Sequence, residues 1–283
     1  MNTFTKNTVY FLALTLFAST APAALVAHYT LDDSEPATTV LDSSGGGNNA
    51  TNSGQTFGVT GVAGTAIQAG NGIANNSDLI LGPSSATEDV IGNNARTVAL
   101  WFNADSISPE MAVLGFGAGS SRRQFIITVE DLGTEAGVGN TIALRYGGGN
   151  VGYNNGSDIV TGTWYHVAFV YDGTTLDFDT VDGTGFSAYI NGTLMNSVDG
   201  NKGQAGNPFN TSSSELRIGN SSTDNRGFNG KIDDVQIYDS ALTAGEISQI
   251  YNNPGVAIPE PGSLMLVLVA GLGMVAISIR RRR

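Results

Sequence analysis

The chain has 283 residues, a formal net charge of −12, 41% hydrophobic and only 13% charged residues. Its 38 glycines, scarce helix formers and many Asn, Thr and Ser positions exclude a helical bundle and favour strands joined by turns. The absence of cysteine excludes disulfides, thiolate metal sites and a cysteine nucleophile, and two histidines argue against a histidine-rich metal centre.

Residues 1–23 carry the parts of an export signal: the positive flank Lys6, the apolar run Val9-Tyr10-Phe11-Leu12-Ala13-Leu14-Thr15-Leu16-Phe17, and the small-x-small site Ala21-Pro22-Ala23. The mature chain is therefore expected to begin at Ala24; a buried core helix is the alternative reading. Residues 24–257 hold 8 basic and 24 acidic residues, a net charge near −16, which argues against nucleic acid or an anionic lipid surface as partner.

Strands are expected near 26–31, 66–68, 79–81, 97–103, 111–116, 124–130, 141–146, 164–171, 186–190, 193–197, 216–218 and 231–238. In 97–103 and 164–171 both faces are apolar, as in inner strands of a two-layer sandwich. Asn191-Gly192 reads as a type I′ hairpin turn. Thr243-Ala244-Gly245-Glu246 is a capping box opening one short helix with Ile247, Ile250 and Tyr251 on its apolar face, stopped by Asn252-Asn253-Pro254. Residues 32–60 and 199–214 read as loops. The fold class is all-β: a two-layer antiparallel sandwich with one short C-terminal helix, occupying 24–253.

The order of these pieces carries a resemblance. Leu100-Trp101-Phe102, then Trp164-Tyr165-His166-Val167-Ala168-Phe169-Val170-Tyr171-Asp172-Gly173, then Ala188-Tyr189-Ile190-Asn191-Gly192, and last Lys231-Ile232-Asp233-Asp234-Val235-Gln236-Ile237-Tyr238 resemble the laminin-G-like, concanavalin A-like jelly roll of bacterial surface proteins. The Asp42-Ser43-Ser44-Gly45 loop fits it too. The resemblance implies adhesion or carbohydrate association more than any one activity. Its catalytic relatives carry Glu-x-Asp-x-x-Glu or Glu-x-Asp-x-Glu on an inner strand; this chain has no such run, and Glu130-Asp131 is parted from Glu135 by a glycine-containing turn.

Other candidates divide between chemistry and structure. His28 and His166 lie in strands with no nucleophile motif beside them and read as packed or edge histidines. Asp177-Phe178-Asp179-Thr180-Val181-Asp182-Gly183 misses EF-hand spacing by one residue and reads as a hairpin connection, with incidental cation binding as the alternative. Asp233 is expected on the core side with Val235 and Ile237, where a carboxylate needs a partner. The jelly-roll resemblance implies a structural Ca²⁺ held there by Asp233 with Asp32 or Asp42; hydrogen bonds from backbone amides of the neighbouring loop are the alternative. Trp101 and Trp164 read as core, whereas Tyr146 and Tyr153, flanking Gly147-Gly148-Gly149, are the better surface aromatics for stacking on a sugar; a plain flexible hairpin is the other reading of that stretch, and the preferred one.

At the C-terminus, linker 254–262 contains Ile258-Pro259-Glu260-Pro261. Residues 263–279 carry no charge, and Arg280, Arg281, Arg282 and Arg283 end the chain. Seventeen residues at ~1.5 Å each make about 25 Å, enough for one transmembrane helix if the arginines snorkel on the cytoplasmic side. Pro259, Glu260 and Pro261, the helix and the arginines together resemble the PEP-CTERM sorting signal. That resemblance implies export across the inner membrane of a Gram-negative-type bacterium, a membrane-anchored precursor, processing by an exosortase, and delivery to the cell surface or an extracellular matrix; a plain anchor is the alternative. The functional expectation is a non-enzymatic exported protein associated with exopolysaccharide or a surface glycan. A matrix protein without specific ligand, and a glycan-active hydrolase with an unrecognised site, are the alternatives.

Overall fold

The computed structural model describes residues 23–70, 79–108, 110–131, 139–154, 158–176, 185–199, 206–221 and 226–258. All of the export signal but Ala23, Pro259-Glu260-Pro261, the segment 263–279, the four arginines and the acidic loop 177–183 lie outside the described residues. Among the described residues no helix is long and apolar enough to cross a membrane.

Strands β1 (Leu25–Tyr29), β2 (Thr39–Val40), β3 (Ala50–Ser53), β4 (Thr56–Thr60), β5 (Thr65–Ala69) and β6 (Leu79–Gly82) precede a one-turn helix, α1 (Ser85–Glu88). Then come β7 (Arg96–Ala104), β8 (Met111–Gly117), β9 (Gln124–Asp131), β10 (Asn140–Arg145), β11 (Asn150–Tyr153) and β12 (Trp164–Tyr171). The chain continues through β13 (Phe186–Ile190), β14 (Thr193–Met195), β15 (Ser197–Asp199), β16 (Leu216–Ile218), β17 (Gly230–Tyr238) and helix α2 (Ala244–Asn252). They build two antiparallel sheets. One has eight strands, β14-β13-β12-β7-β17-β5-β4 with β1 also paired to β17; the other has nine, β15-β11-β10-β9-β8-β16-β6-β3-β2.

Period-2 alternation sends Val98, Leu100 and Phe102 of β7 and Val167 and Phe169 of β12 into the core between the sheets. The opposite face of these strands is buried as well. Ala99, Ala168, Val170 and Tyr238 pack under Leu242, Ile247 and Ile250 of the α2 region. This second core explains why both faces of β7 and β12 are apolar. Thr243 caps α2 and Glu246 bonds back, completing the expected capping box. Asn191 (φ 50°) and Gly192 (φ 74°) both take the left-handed conformation a type I′ turn requires.

The structure departs from the sequence expectation in several places. Residues 32–60 contain β2, β3 and β4, and β11 and β15 also form. Ala50-Thr51-Asn52-Ser53 has no apolar alternation to announce a strand; it is recruited by pairing with β6. Tyr146 and Tyr153 are not surface aromatics: they are 0% and 2% exposed. Tyr146 follows Leu144 in the inward alternation and meets Phe209 edge-on, while Tyr153 packs against Phe169 and Phe186. Arg96 is also buried. Its guanidinium reaches Thr211 Oγ1 (2.9 Å), Gly92 O (2.9 Å) and Asn94 O (3.1 Å) and lies over Phe125, Tyr171 and Phe209. Burial pushes its pKa down to about 9, still protonated at neutral pH.

Asp233 is the most consequential correction. The β17–β7 register shifts between Asp233 and Gln236, and Asp234 takes φ 48°. Asp233 pairs with Trp101 while Ile232 pairs with Phe102. This bulge puts Asp233 on the outer face with Trp101, not on the core side with Val235.

Candidate functional site

Asp32, Asp42 and Asp233 do not converge as one ligand set. Asp42 is consumed by its own loop and β1: it accepts from the backbone N–H groups of His28 (3.0 Å), Ser44 (2.9 Å) and Asn48 (2.9 Å) and from Ser44 Oγ (2.9 Å). Although burial opposes it, these bonds lower its pKa. Asp233 Oδ2 accepts from Val62 N (2.7 Å) and Ala63 N (3.1 Å), and Asp32 Oδ1 accepts from Thr65 N (2.7 Å). Both carboxylates thus bind the turn 61–65, where a Cβ at Gly61 would strike Asp233 and one at Gly64 would strike Asp32. Asp233 Oδ1 is buried without a partner, and desolvation raises this carboxyl to about 7. Among the described residues no three His, Cys, Asp or Glu side chains gather as a metal site.

His28 Nε2 lies 2.8 Å from Asp234 Oδ1, which also accepts from Gln236 Nε2 (2.8 Å), while Asp234 Oδ2 accepts from Gly255 N (2.8 Å). Burial works against this carboxylate, but these bonds hold it below the usual carboxylate range. His166 is fully buried between Trp101 and Tyr251 (ring centroids 5.2 and 5.8 Å). Both histidines are packed, as their strand settings imply. Trp101 is buried and Trp164 half-buried.

The described cluster of opposed charges lies on the outer face of the nine-stranded sheet. Phe125, Ile127 and Val129 of β9 face the core, so Ile126, Thr128 and Glu130 face outward. Register aligns Ala112, Thr128, Ala143 and Gly152 across four strands, and Arg145 opposite both Ile126 and Asn150. That row of small residues leaves room for the Arg145 side chain to cross the sheet to Glu130. Arg145 Nε meets Glu130 Oε1 at 2.7 Å, and its terminal nitrogen meets Glu110. Arg226 Nε closes on Glu110 Oε2 at 2.6 Å. Glu130 also accepts from Thr128 Oγ1 (2.6 Å) and Asn150 Nδ2 (3.3 Å). Desolvation raises the Glu130 pKa; Thr128, Asn150 and the charge of Arg226 oppose the rise. Beside this quartet opens a cleft of about 390 Å³ lined by Gln124, Arg145, Gly147, Gly148, Gly149, Asn150 and Arg226. A cleft of about 420 Å³ beside Thr30, Asp32, Asp33 and Leu41 is lined by acids without a cation.

The arrangement can present guanidinium, carboxylate, amide and backbone groups together to a polyhydroxylated ligand. Sequence reading missed Glu110, Arg145, Asn150 and Arg226 in this role. The available signal is an outward charge two residues from a small outward residue: Thr128 before Glu130, and Ala143 before Arg145.

The family model described as the concanavalin A-like lectin/glucanases superfamily matches residues 74–248. No curated protein matches the chain. Among solved structures, domain 4 of AbnA, a GH43 extracellular arabinanase from Geobacillus stearothermophilus in complex with arabinotriose, is 21% identical with a TM-score of 0.55. That match covers 81% of this chain and 99% of that one. The binding domain of botulinum neurotoxin serotype G is 14% identical (TM-score 0.52), with 80% of this chain and 50% of that one covered. Trypanosoma rangeli sialidase in complex with sialic acid is 13% identical (TM-score 0.52), with 81% and 32% covered. The chain therefore spans nearly all of the arabinanase domain but half or less of the other two. At these identities the likeness is one of fold.

Proposed function

Because the chain belongs to the concanavalin A-like lectin/glucanases superfamily, we propose that it is a non-enzymatic exported protein that associates with glycan through the cleft beside Glu110, Glu130, Arg145, Asn150 and Arg226. The single observation carrying this reading is the hydrogen-bonded charge quartet beside an open polar cleft on one sheet face. The arabinanase domain, solved with arabinotriose, and the sialidase, solved with sialic acid, support a sugar as the class of ligand. Export rests on the signal at 1–23. Delivery to a cell surface or matrix rests on the sorting-signal resemblance of 258–283, with an exosortase as the processing partner and the membrane as a transient one.

The test is a polysaccharide array probed with the processed protein, wild type and Asn150→Ala with Arg226→Ala. Binding of a polysaccharide class that falls at least tenfold in the double variant is expected; no binding to any polysaccharide overturns the reading. A hydrolase reading would use Glu110 and Glu130 as a carboxylate pair. Their shared engagement by Arg145 favours a fixed binding surface over proton transfer.

For Ca²⁺ we propose a narrower version of the sequence expectation, using Asp32 and Asp233 at the turn 61–65 without Asp42. The unpartnered Asp233 Oδ1 and the oxygen-only donors suit it. Calorimetry should show a lower Tm after chelation, restored by added Ca²⁺; an unchanged Tm removes the ion.

A further inference from the structure

The first described residues contain an interaction the proposed function does not use. Ala24 N donates to Asp239 Oδ1 at 2.8 Å, and Asp239 N donates back to Ala24 O at 3.1 Å. The nitrogen of Ala24 is thus held against a carboxylate just beyond the end of β17. Leu25, next in the chain, pairs with Tyr238, so the position is fixed by the β1–β17 ladder. The surroundings are acidic. A cleft of about 320 Å³ beside Ala24 is lined by Glu88 and Asp89 and by no basic side chain. Glu88 and Asp89 come from the end of α1; Asp239 comes from β17's side.

We propose that this is a receptor for the chain's own processed amino terminus: cleavage between Ala23 and Ala24 creates an ammonium group that Asp239 binds as an ion pair. The inference rests on the export reading above, which sets the cleavage after Ala21-Pro22-Ala23. Water supplied in the peptidase reaction adds across the Ala23–Ala24 amide. Ala23 leaves as a carboxylate, and the Ala24 nitrogen, already 2.8 Å from Asp239, becomes –NH₃⁺. The precursor's bond from a neutral amide to the carboxylate becomes an ion pair between opposite charges, with Coulomb attraction added to the hydrogen bond.

Two measurements on the exported, processed protein separate the inference from the reading beneath it. Intact and N-terminal peptide mass report where the chain begins; a start other than Ala24 defeats the cleavage reading and the inference with it. With Ala24 confirmed, the pH dependence of acylation of the α-amine, resolved by mass from Lys202 and Lys231, gives its pKa. In wild type it should lie about one unit or more above the ordinary ~7.7–8.0. Asp239→Asn, which keeps an acceptor for Ala24 and so preserves the fold, should return it to that range. Because the folded pKa is raised, the ion pair stabilises the protein fully below about pH 7.7 and is lost as pH climbs through the higher value. Wild type should therefore lose several degrees of Tm from pH 7 to 10 that Asp239→Asn does not. An ordinary α-amine pKa in wild type, unchanged by Asp239→Asn, overturns the receptor while leaving export intact.

Discussion

On the outer face of the eight-stranded sheet, register sets His166, Trp101 and Asp233 side by side on β12, β7 and β17. His166 Nδ1 and Nε2, Trp101 Nε1 and Asp233 Oδ1 are all buried without a hydrogen-bond partner among the described residues. For His166, burial pushes the pKa down to about 4, against a smaller upward pull from Asp234. A histidine whose folded pKa lies below its unfolded ~6.5 folds best when neutral. Its contribution is present above pH 6.5 and lost as pH falls toward 4. His166→Phe keeps a ring against Trp101 and Tyr251 and removes the titration. The variant should gain about 2 kcal/mol relative to wild type at pH 4.5 over any difference at pH 7.5. Thermal melts at the two pH values check this; an equal Tm difference at both contradicts it. That His166 is packed follows from its apolar strand neighbours. That Asp233 lies beside it does not, because an alternation carried unbroken through Ile232-Asp233-Asp234-Val235 assigns it to the wrong face, and only the bulge at Asp234 corrects the count.

At the scale of elements, α2 is short and depends on its cap and its contacts. Thr243 Oγ1 accepts from Glu246 N at 3.3 Å, Glu246 Oε2 accepts from Thr243 N at 2.7 Å, and Tyr251 stacks on Trp101 at 5.5 Å. Thr243→Ala should cost about 1 kcal/mol, a Tm decrease of roughly 2–4 °C for a domain of this size; calorimetry reads it directly. This helix was legible from its capping box and apolar face, as were the long strands β7, β9, β12 and β17 from their hydrophobic runs. The short polar strands were not. Thr39–Val40 and Ala50–Ser53 owe their state to the strands beside them, and non-local pairing leaves no local trace. The cleft was hidden for a related reason. Glu110, Glu130, Arg145 and Arg226 are far apart in sequence; the register across β8, β9 and β10 brings the first three together, and the bridge between Ala112 and Gly227 brings Arg226.

For the molecule as a whole, the fold does not stop at α2. Gly255 N binds Asp234, and Ile258 N donates to Tyr238 OH at 3.2 Å, while Ile258 packs on the second core. Residues 254–258 are thus a strap lying along β17. A chain ending at Asn253 should melt several degrees below one ending at Ile258, because Asp234 and Tyr238 lose partners and apolar surface is uncovered. Identical melting curves for the two chains would show the strap to be idle.

Ala24 and Ile258 both dock around β17, behind the sheet that α2 covers, whereas the quartet of charges opens from the opposite sheet. Any leash attached beyond Ile258 therefore pulls from the molecule's back. The Arg145–Arg226 face lies on the other sheet, away from that point of attachment.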